Sequence, residues 1–313
     1  MIKSVTVTNH IGESITLELT RPDSSGFIVK SIYGLGPSKA NVNTTKIAMS
    51  DISLHNSAYL SERNIVINLG FYQTKTETIE DIRHKSYKYF PIKRNVKIRV
   101  ETDTRISETE GCVESNEPNI FSSEEGCSIS IICPDPFFYS PYPSEIVFYG
   151  VEPAFEFPFE NSSVTLDENG TYSDSGPLLE VGNLIISTEK SVYYEGDFEV
   201  GITITIHAVG DVTDLSIYNV TNKEQININT TILTNLTGSG IIEGDTIFIE
   251  TRKGNKKVTL LRNGENINIL NCVDKKSKWI TLSKGDNIIA YTASTGKTNL
   301  QFYISNKILY DGV

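Results

Sequence analysis

Four cysteines, four histidines and 39 carboxylates are the side chains with chemistry to offer in this 313-residue chain. Their spacing decides what they can do. Cys112, Cys127, Cys133 and Cys272 show neither the short spacing of zinc-ligand pairs nor that of a redox Cys-x-x-Cys. Cys127 and Cys133 share one parity in the alternating run 127–133. On an extended strand they point to one face about 20 Å apart, too far to bond to each other. They read as buried free thiols, which pack as small hydrophobes. His10, His55, His84 and His207 are scattered, with no i, i+4 pair for a metal. His84 lies between Arg83 and Lys85 and reads as solvated.

Phosphate and nucleophile motifs fail on spacing too. Gly34-Leu35-Gly36-Pro37-Ser38-Lys39 lacks the G-x-x-x-x-G-K-[ST] arrangement, and Pro37 removes a donor N–H. The 238–244 stretch misses the dinucleotide pattern by one residue and reads as a loop plus a hairpin turn. No Gly-x-Ser-x-Gly elbow occurs, and no carboxylate pair is singled out for glycoside hydrolysis. The expectation is a protein that is not an enzyme, with no catalytic, cofactor or metal site. Six Asn-x-Ser/Thr sequons, at Asn43, Asn161, Asn169, Asn219, Asn229 and Asn235, follow from Asn/Thr-rich strands. The single tryptophan, Trp279, could stack on a sugar ring but reads as a core residue of a strand.

Charge is more informative. A net charge of −11 argues against specific nucleic-acid binding through a basic face. The charges are segregated locally. Between Arg83 and Arg99 stand seven basic residues and no acidic one, including Lys88 and Lys97; between Glu101 and Glu125 stand eight acidic residues, among them Glu108, Glu110 and Glu114, and one basic, Arg105. Two readings follow. The arms of one hairpin pair their charges within the chain, or the basic face of one protomer docks on the acidic arm of the next.

The elements that carry these charges are strands and one helix. Alternation marks Ser4–Thr8, Ser14–Leu19, Phe27–Leu35 and Arg63–Phe71 as strands, and residues 36–62 read as irregular. Ile79, Ile82, Ser86, Tyr87 and Phe90 form a helical stripe over Thr78–Phe90, capped by Thr76 or Thr78 and ended by Pro91. Val96, Ile98 and Val100 alternate with Lys97, Arg99 and Glu101 in a half-buried strand, with Arg105–Ser115 as its returning partner. The strand 127–133 runs into Cys133-Pro134-Asp135-Pro136-Phe137-Phe138, a proline-locked aromatic corner. Residues 141–160 are rich in Pro and Phe and read as a packed linker. From 161 on, strands recur between Gly-Asp and Gly-Asn turns without helices, as in a β-sandwich or jelly roll. The length suggests two domains: 1–140, the linker 141–160, and 161–313. No apolar run reaches the roughly 20 residues of a membrane helix. The first residues alternate like a strand and lack a signal-peptide core.

In order, the helix to Pro91, the strand Val96–Thr102, Gly111-Cys112-Val113-Glu114-Ser115, the Cys-Pro-Asp-Pro-Phe corner, Phe155-Glu156-Phe157-Pro158-Phe159, Tyr194-Glu195-Gly196-Asp197, Trp279–Asn287 and Tyr310-Asp311-Gly312-Val313 form a set. This set resembles the distal tail proteins (Dit) of long-tailed bacteriophages. The resemblance implies a mainly β chain. Its N-terminal ring-forming domain would carry one α-helix and a projecting hairpin, and its C-terminal domain would be a galectin-like β-sandwich. It implies a structural virion protein without cofactors: a hexameric hub joining the tail tube protein to tail-tip or baseplate hub proteins, with receptor-binding proteins as further partners. Related proteins serve phage-tail-like particles. The expected location is the virion tail tip, after synthesis in the host bacterial cytoplasm without a signal peptide or membrane insertion. The alternative is a carbohydrate- or receptor-binding module acting through the C-terminal sandwich. The galectin signature His-x-Asn-Pro-Arg with Trp-Gly-x-Glu is not present. For the ring, Arg83, Lys88, Lys97, Arg99, Glu108, Glu110 and Glu114 are the expected subunit-boundary residues.

Overall fold

The computed structural model describes residues 1–47, 49, 51–120, 122–152, 183–186 and 188–313. The chain is mainly β and divides into two compact units. Unit 1 gathers Met1–Pro143, Glu195–Val200 and Lys307–Val313; unit 2 gathers Ser144–Tyr194 and Gly201–Asn306. Two short segments beyond residue 190 thus belong with the N-terminal strands, where the sequence suggested one uninterrupted C-terminal domain. The stretch Phe155–Phe159, Asn161 and Asn169 lie outside the described residues.

Unit 1 runs β1 (Ile2–Thr8), β2 (Ser14–Glu18), the single turn α1 (Pro22–Ser25), β3 (Phe27–Tyr33), β4 (Ala40–Lys46), β5 (Ser53–Leu60), β6 (Arg63–Phe71), α2 (Ile79–Tyr89), β7 (Asn95–Thr102), β8 (Ile106–Asn119), β9 (Gly126–Cys133) and β10 (Phe138–Tyr139). Seven of these strands form an antiparallel sheet in the order β2-β1-β7-β8-β9-β6-β3. The period-2 pattern sets its inner face. Val5 and Val7, Ile65, Ile67 and Leu69, Val96, Ile98 and Val100, and Ile129, Ile131 and Cys133 are all buried.

Helix α2 starts on a capping box. The Thr78 backbone N–H donates to Asp81 Oδ2 at 3.0 Å and the Asp81 N–H donates to Thr78 Oγ1 at 3.3 Å. The Thr78 backbone N–H first, and then the Thr78 hydroxyl donating to Asp81 Oδ2 at 2.7 Å, hold the Asp81 carboxyl below its usual range. Ile82, Ser86 and Phe90 from the expected stripe are buried, whereas Tyr87 is exposed.

Gly111 in β8 shows why that motif needs glycine. A Cβ there would sit 2.6 Å from Cys133 Sγ and 2.8 Å from both Ile131 Cγ2 and the Ile132 carbonyl oxygen. The space is already filled by the corner strand.

Residues 36–62 are not irregular. β4 and β5 pair with each other in a two-stranded ladder separate from the main sheet. Every residue of β4, and of β5 apart from Leu60, is exposed. Such a ladder shows no polar/apolar alternation because neither face is buried, so the usual strand signal is missing.

Through unit 2 the chain runs β11 (Ser144–Val147), β12 (Tyr149–Glu152), β13 (Asn183–Ile186), β14 (Glu189–Tyr194), β15 (Val200–Gly201), β16 (Thr203–Ala208), β17 (Leu215–Asn219), β18 (Glu224–Ile228), α3 (Thr230–Thr237), β19 (Thr246–Glu250), β20 (Lys257–Arg262), β21 (Glu265–Asn268), β22 (Thr281–Leu282), β23 (Gly285–Thr292) and β24 (Leu300–Asn306). One sheet has the order β11-β24-β16-β19-β20-β21 and another the order β14-β23-β17-β18. They meet through their inward residues: Tyr291 of β23 stacks on Phe302 of β24 with ring centroids 3.8 Å apart, and Phe148 lies 6.1 Å from Phe302.

Helix α3 corrects the expectation of strands alone. Its β-branched, Thr-rich sequence has strand propensity, but its ends are helical signals. Asn229 Oδ1 accepts the Ile232 N–H at 3.0 Å, and Gly238 closes the helix at φ 83°.

Three of the four thiols are buried: Cys127, Cys133 and Cys272, with Cys112 partly exposed. Burial pushes the Cys127 thiol up to about 12 from an ordinary 9.0. A raised folded value keeps the proton on the folded chain longer than on the unfolded one. The corresponding stability is complete below pH 9 and is lost as pH rises toward 12. Denaturation midpoints measured from pH 8 to 11 should therefore fall less steeply in Cys127→Ala than in the unaltered chain. Equal slopes would show that Cys127 is not a source of the alkaline loss. In the folded chain Cys112 should be the thiol that a disulfide reagent reaches first.

Candidate functional site

The charged arms of β7 and β8 come together in one ladder. Lys97 faces Glu110 and Arg99 faces Glu108 across it. Lys97 Nζ lies 2.5 Å and Arg99 Nη1 3.9 Å from Glu108 carboxylate oxygens. Asn95 donates to Glu110 at 3.0 Å, and Ser130 donates to Glu114 at 2.8 Å. On α2, Arg83 lies 3.6 Å from Glu80 and 3.7 Å from Glu125, and Lys88 lies 2.8 Å from Glu13. Of the seven expected boundary residues, Lys97, Arg99 and Glu108 form one cluster. Arg83, Lys88, Glu110 and Glu114 are engaged separately. Lys97 and Lys88 keep about half of their side-chain surface exposed, so these pairs are weak and open to rearrangement.

A second group was not apparent from the sequence. Arg63 opens β6 and is 3% exposed. Its Nε donates to Pro136 O at 2.7 Å, its Nη1 to Gly34 O at 2.7 Å and to Gly36 O, and its Nη2 to Asp311 O at 2.6 Å. The guanidinium also lies 4.6 Å from the centroid of the buried Phe138 ring. One side chain thus fastens the 34–36 turn, the Pro134–Pro136 corner and the 311 segment. Burial pushes its pKa down, but arginine stays charged in proteins, and the carbonyl dipoles answer the charge. Gly34 sits at φ 84°, and a Cβ there would collide with the Asn64 carbonyl oxygen.

The corner itself is folded by Asp135. Its Oδ1 accepts the Phe137 N–H at 3.1 Å, and its other oxygen accepts the Tyr139 hydroxyl. Strand β25 (Leu309–Tyr310) pairs with β10. Arg105 then lies over the Tyr310 ring at 4.6 Å and donates to Gly312 O at 2.7 Å. The available sequence signal was parity: Arg63 is in phase with Ile65, Ile67 and Leu69 and had to point inward.

In unit 2 a similar fastener holds the 238–244 loop. Arg262 Nε donates to the buried Asp245 at 2.8 Å, and its other nitrogens reach Ser239 Oγ at 2.6 Å and Thr237 Oγ1 at 3.1 Å. The Asp245 carboxylate holds the Arg262 pKa above its ordinary value. Trp279 is not core: it is partly exposed, and Lys256 Nζ stands 5.3 Å from its ring centroid. Among the described residues no three His, Cys, Asp or Glu side chains converge on a metal position. No helix there is long and apolar enough to cross a membrane.

The chain is thus mainly β in two units, with Arg63 in one and Arg262 in the other each fastening loop segments. Residues 195–303 match the family model of the siphovirus-type tail component, C-terminal domain. The solved Dit protein (gp 19.1) of SPP1, described as a paradigm of hub adsorption apparatus in Gram-positive infecting phages, is similar over 98% of this chain and 100% of its own. Its identity is 13% and its TM-score 0.61. Chains of the phage P2 baseplate in its activated conformation, with Ca and with Sr, are similar at 12% and 11% identity, with TM-scores of 0.48 and 0.46. They cover 100% and 99% of this chain and the same shares of their own. No curated protein matches the sequence. The chain has the distal tail protein fold, as the ordered motifs suggested.

Proposed function

We propose that this chain is a hub of a phage tail or phage-tail-like particle, in which six copies close a ring between the tail tube and the tail-tip or baseplate proteins. The observation that carries the assembly is the β4–β5 ladder. An isolated two-stranded hairpin is marginal in water. This one exposes Val42, Ile52, Leu54 and Tyr59, each more than half accessible. Covering those side chains with a neighbouring copy supplies the apolar burial that a ring needs, and a head-to-tail contact repeated around an axis closes. Light scattering on the full chain, with particle images, tests this. A mass near six subunits is expected for the purified chain, and a monomer at every concentration would overturn it.

The charged arms steer and register that contact more than they strengthen it. Lys97 and Arg99 already share Glu108 within the chain, so their Glu variants separate the two roles. With Lys97→Glu and Arg99→Glu together, weaker assembly at an unchanged melting temperature is expected, and partial rescue on mixing with Glu108→Lys, Glu110→Lys, Glu114→Lys. Normal assembly with a lowered melting temperature would assign these charges to pairing within one chain.

A further inference from the structure

Unit 2 carries a basic patch in an otherwise acidic protein. The stretch 252–257, Arg-Lys-Gly-Asn-Lys-Lys, holds four cations and no anion. Lys253, Lys256 and Lys257 are exposed and make no ion pair among the described residues. The 274–279 loop lies beside it. Thr251 Oγ1 donates to Ile280 O at 2.7 Å, and Lys256 stands over Trp279. That loop adds Lys275, Lys276 and Lys278, exposed and likewise without an ion pair. The acids nearest in sequence, Glu250 and Asp274, make no ion pair with these lysines among the described residues. Glu250 takes Arg252 Nε at 2.7 Å and Thr203 Oγ1 at 2.9 Å, and Asp274 Oδ1 accepts the Lys276 N–H at 3.1 Å.

Six exposed lysines on two adjoining segments, none in an ion pair among the described residues, repel one another where they approach. One of them, Lys256, stands over an aromatic face that the fold leaves partly open although a tryptophan of this size has a large apolar surface to bury. Both features are accounted for by one ligand chemistry. We propose that the 252–257 turn and the 274–279 loop form a binding site for an anionic polysaccharide. A sugar ring lies on the Trp279 indole, and its sulfate, phosphate or carboxylate groups take the lysines, beginning with Lys256 drawn off the ring. Short Lys/Arg-rich stretches of this kind form heparin-type or nucleic-acid patches. Single-stranded nucleic acid is the poorer fit, because it is gripped by successive aromatic platforms, and Trp279 is the only aromatic residue in 250–257 and 274–281. An acidic peptide would use the lysines but has no need of the indole.

Trp279 is the only tryptophan in the chain, so its emission reports on this site directly. Full-length protein is titrated with a heparin-derived octasaccharide, with poly-glutamate of matched charge, and with an oligothymidine. The octasaccharide is expected to change the emission saturably. Binding should weaken at least tenfold between 50 and 500 mM salt, and at least tenfold again in Lys256→Gln, Lys276→Gln, exposed changes that leave the fold intact. Trp279→Phe, followed by calorimetry after its melting temperature is checked, should weaken octasaccharide binding but not poly-glutamate binding. An unchanged emission, or poly-glutamate or oligothymidine binding as tightly as the octasaccharide, would overturn the proposal.

Discussion

Replacing Arg63 with alanine should destabilise unit 1 by about 3–5 kcal/mol, the cost of leaving two or more of its four buried carbonyl partners without a donor. The side chain satisfies four backbone carbonyls, and at 3% exposure water cannot reach all of them after truncation. A buried acceptor left without a donor costs about 1–3 kcal/mol. The Phe138 ring also loses its cation. Lysine should not rescue, because a point charge with three donors cannot span carbonyls that a planar fork reaches in several directions. Amide hydrogen exchange would read this strand by strand. Protection should drop in β6, β9 and β10 and persist in β16 and β24. Unchanged protection in β6 would mean that the cluster contributes little.

Removing residues 307–313 should cost unit 1 a similar or larger amount. Leu309 and Tyr310 are buried at 6% and 8% exposure, and full burial of such side chains is worth about 1.5–3 kcal/mol each. The segment also supplies the Asp311 and Gly312 carbonyls to Arg63 and Arg105, and the Val313 N–H donates to Leu35 O at 3.0 Å. The truncated chain should show a lowered first unfolding transition, with Arg63 and Arg105 each short of one carbonyl acceptor. A melting profile identical to that of the full chain would contradict this.

The main sheet was legible because its strands bury one face. Val96, Ile98 and Val100, or Ile129 and Ile131, announce themselves by period alone. Helix α2 was legible from its stripe and from Thr78. What stayed hidden had no periodicity to display. β4 and β5 are bare on both faces, so their Asn, Thr and Ser residues resemble a loop. α3 is written in residues that prefer strands, and only Asn229 and Gly238 mark it. The Arg63 cluster joins positions up to 248 residues apart, and no local pattern encodes such a meeting. Its one trace was a cation in phase with core aliphatics. Trp279 was misjudged for the opposite reason: a large apolar residue is expected inside, and only the fold shows that a lysine-rich turn faces it.

The order in which the chain visits its two units has a mechanical meaning. It passes between them four times, after Pro143, Tyr194, Val200 and Asn306. A single protease cut anywhere within 202–305 would therefore leave two fragments that each still own a piece of unit 1, stitched by the β10–β25 pairing and the Arg63 bonds. A cut in 145–193 does the same. Beads joined by one string separate at the first nick, whereas this chain is sewn with a return stitch.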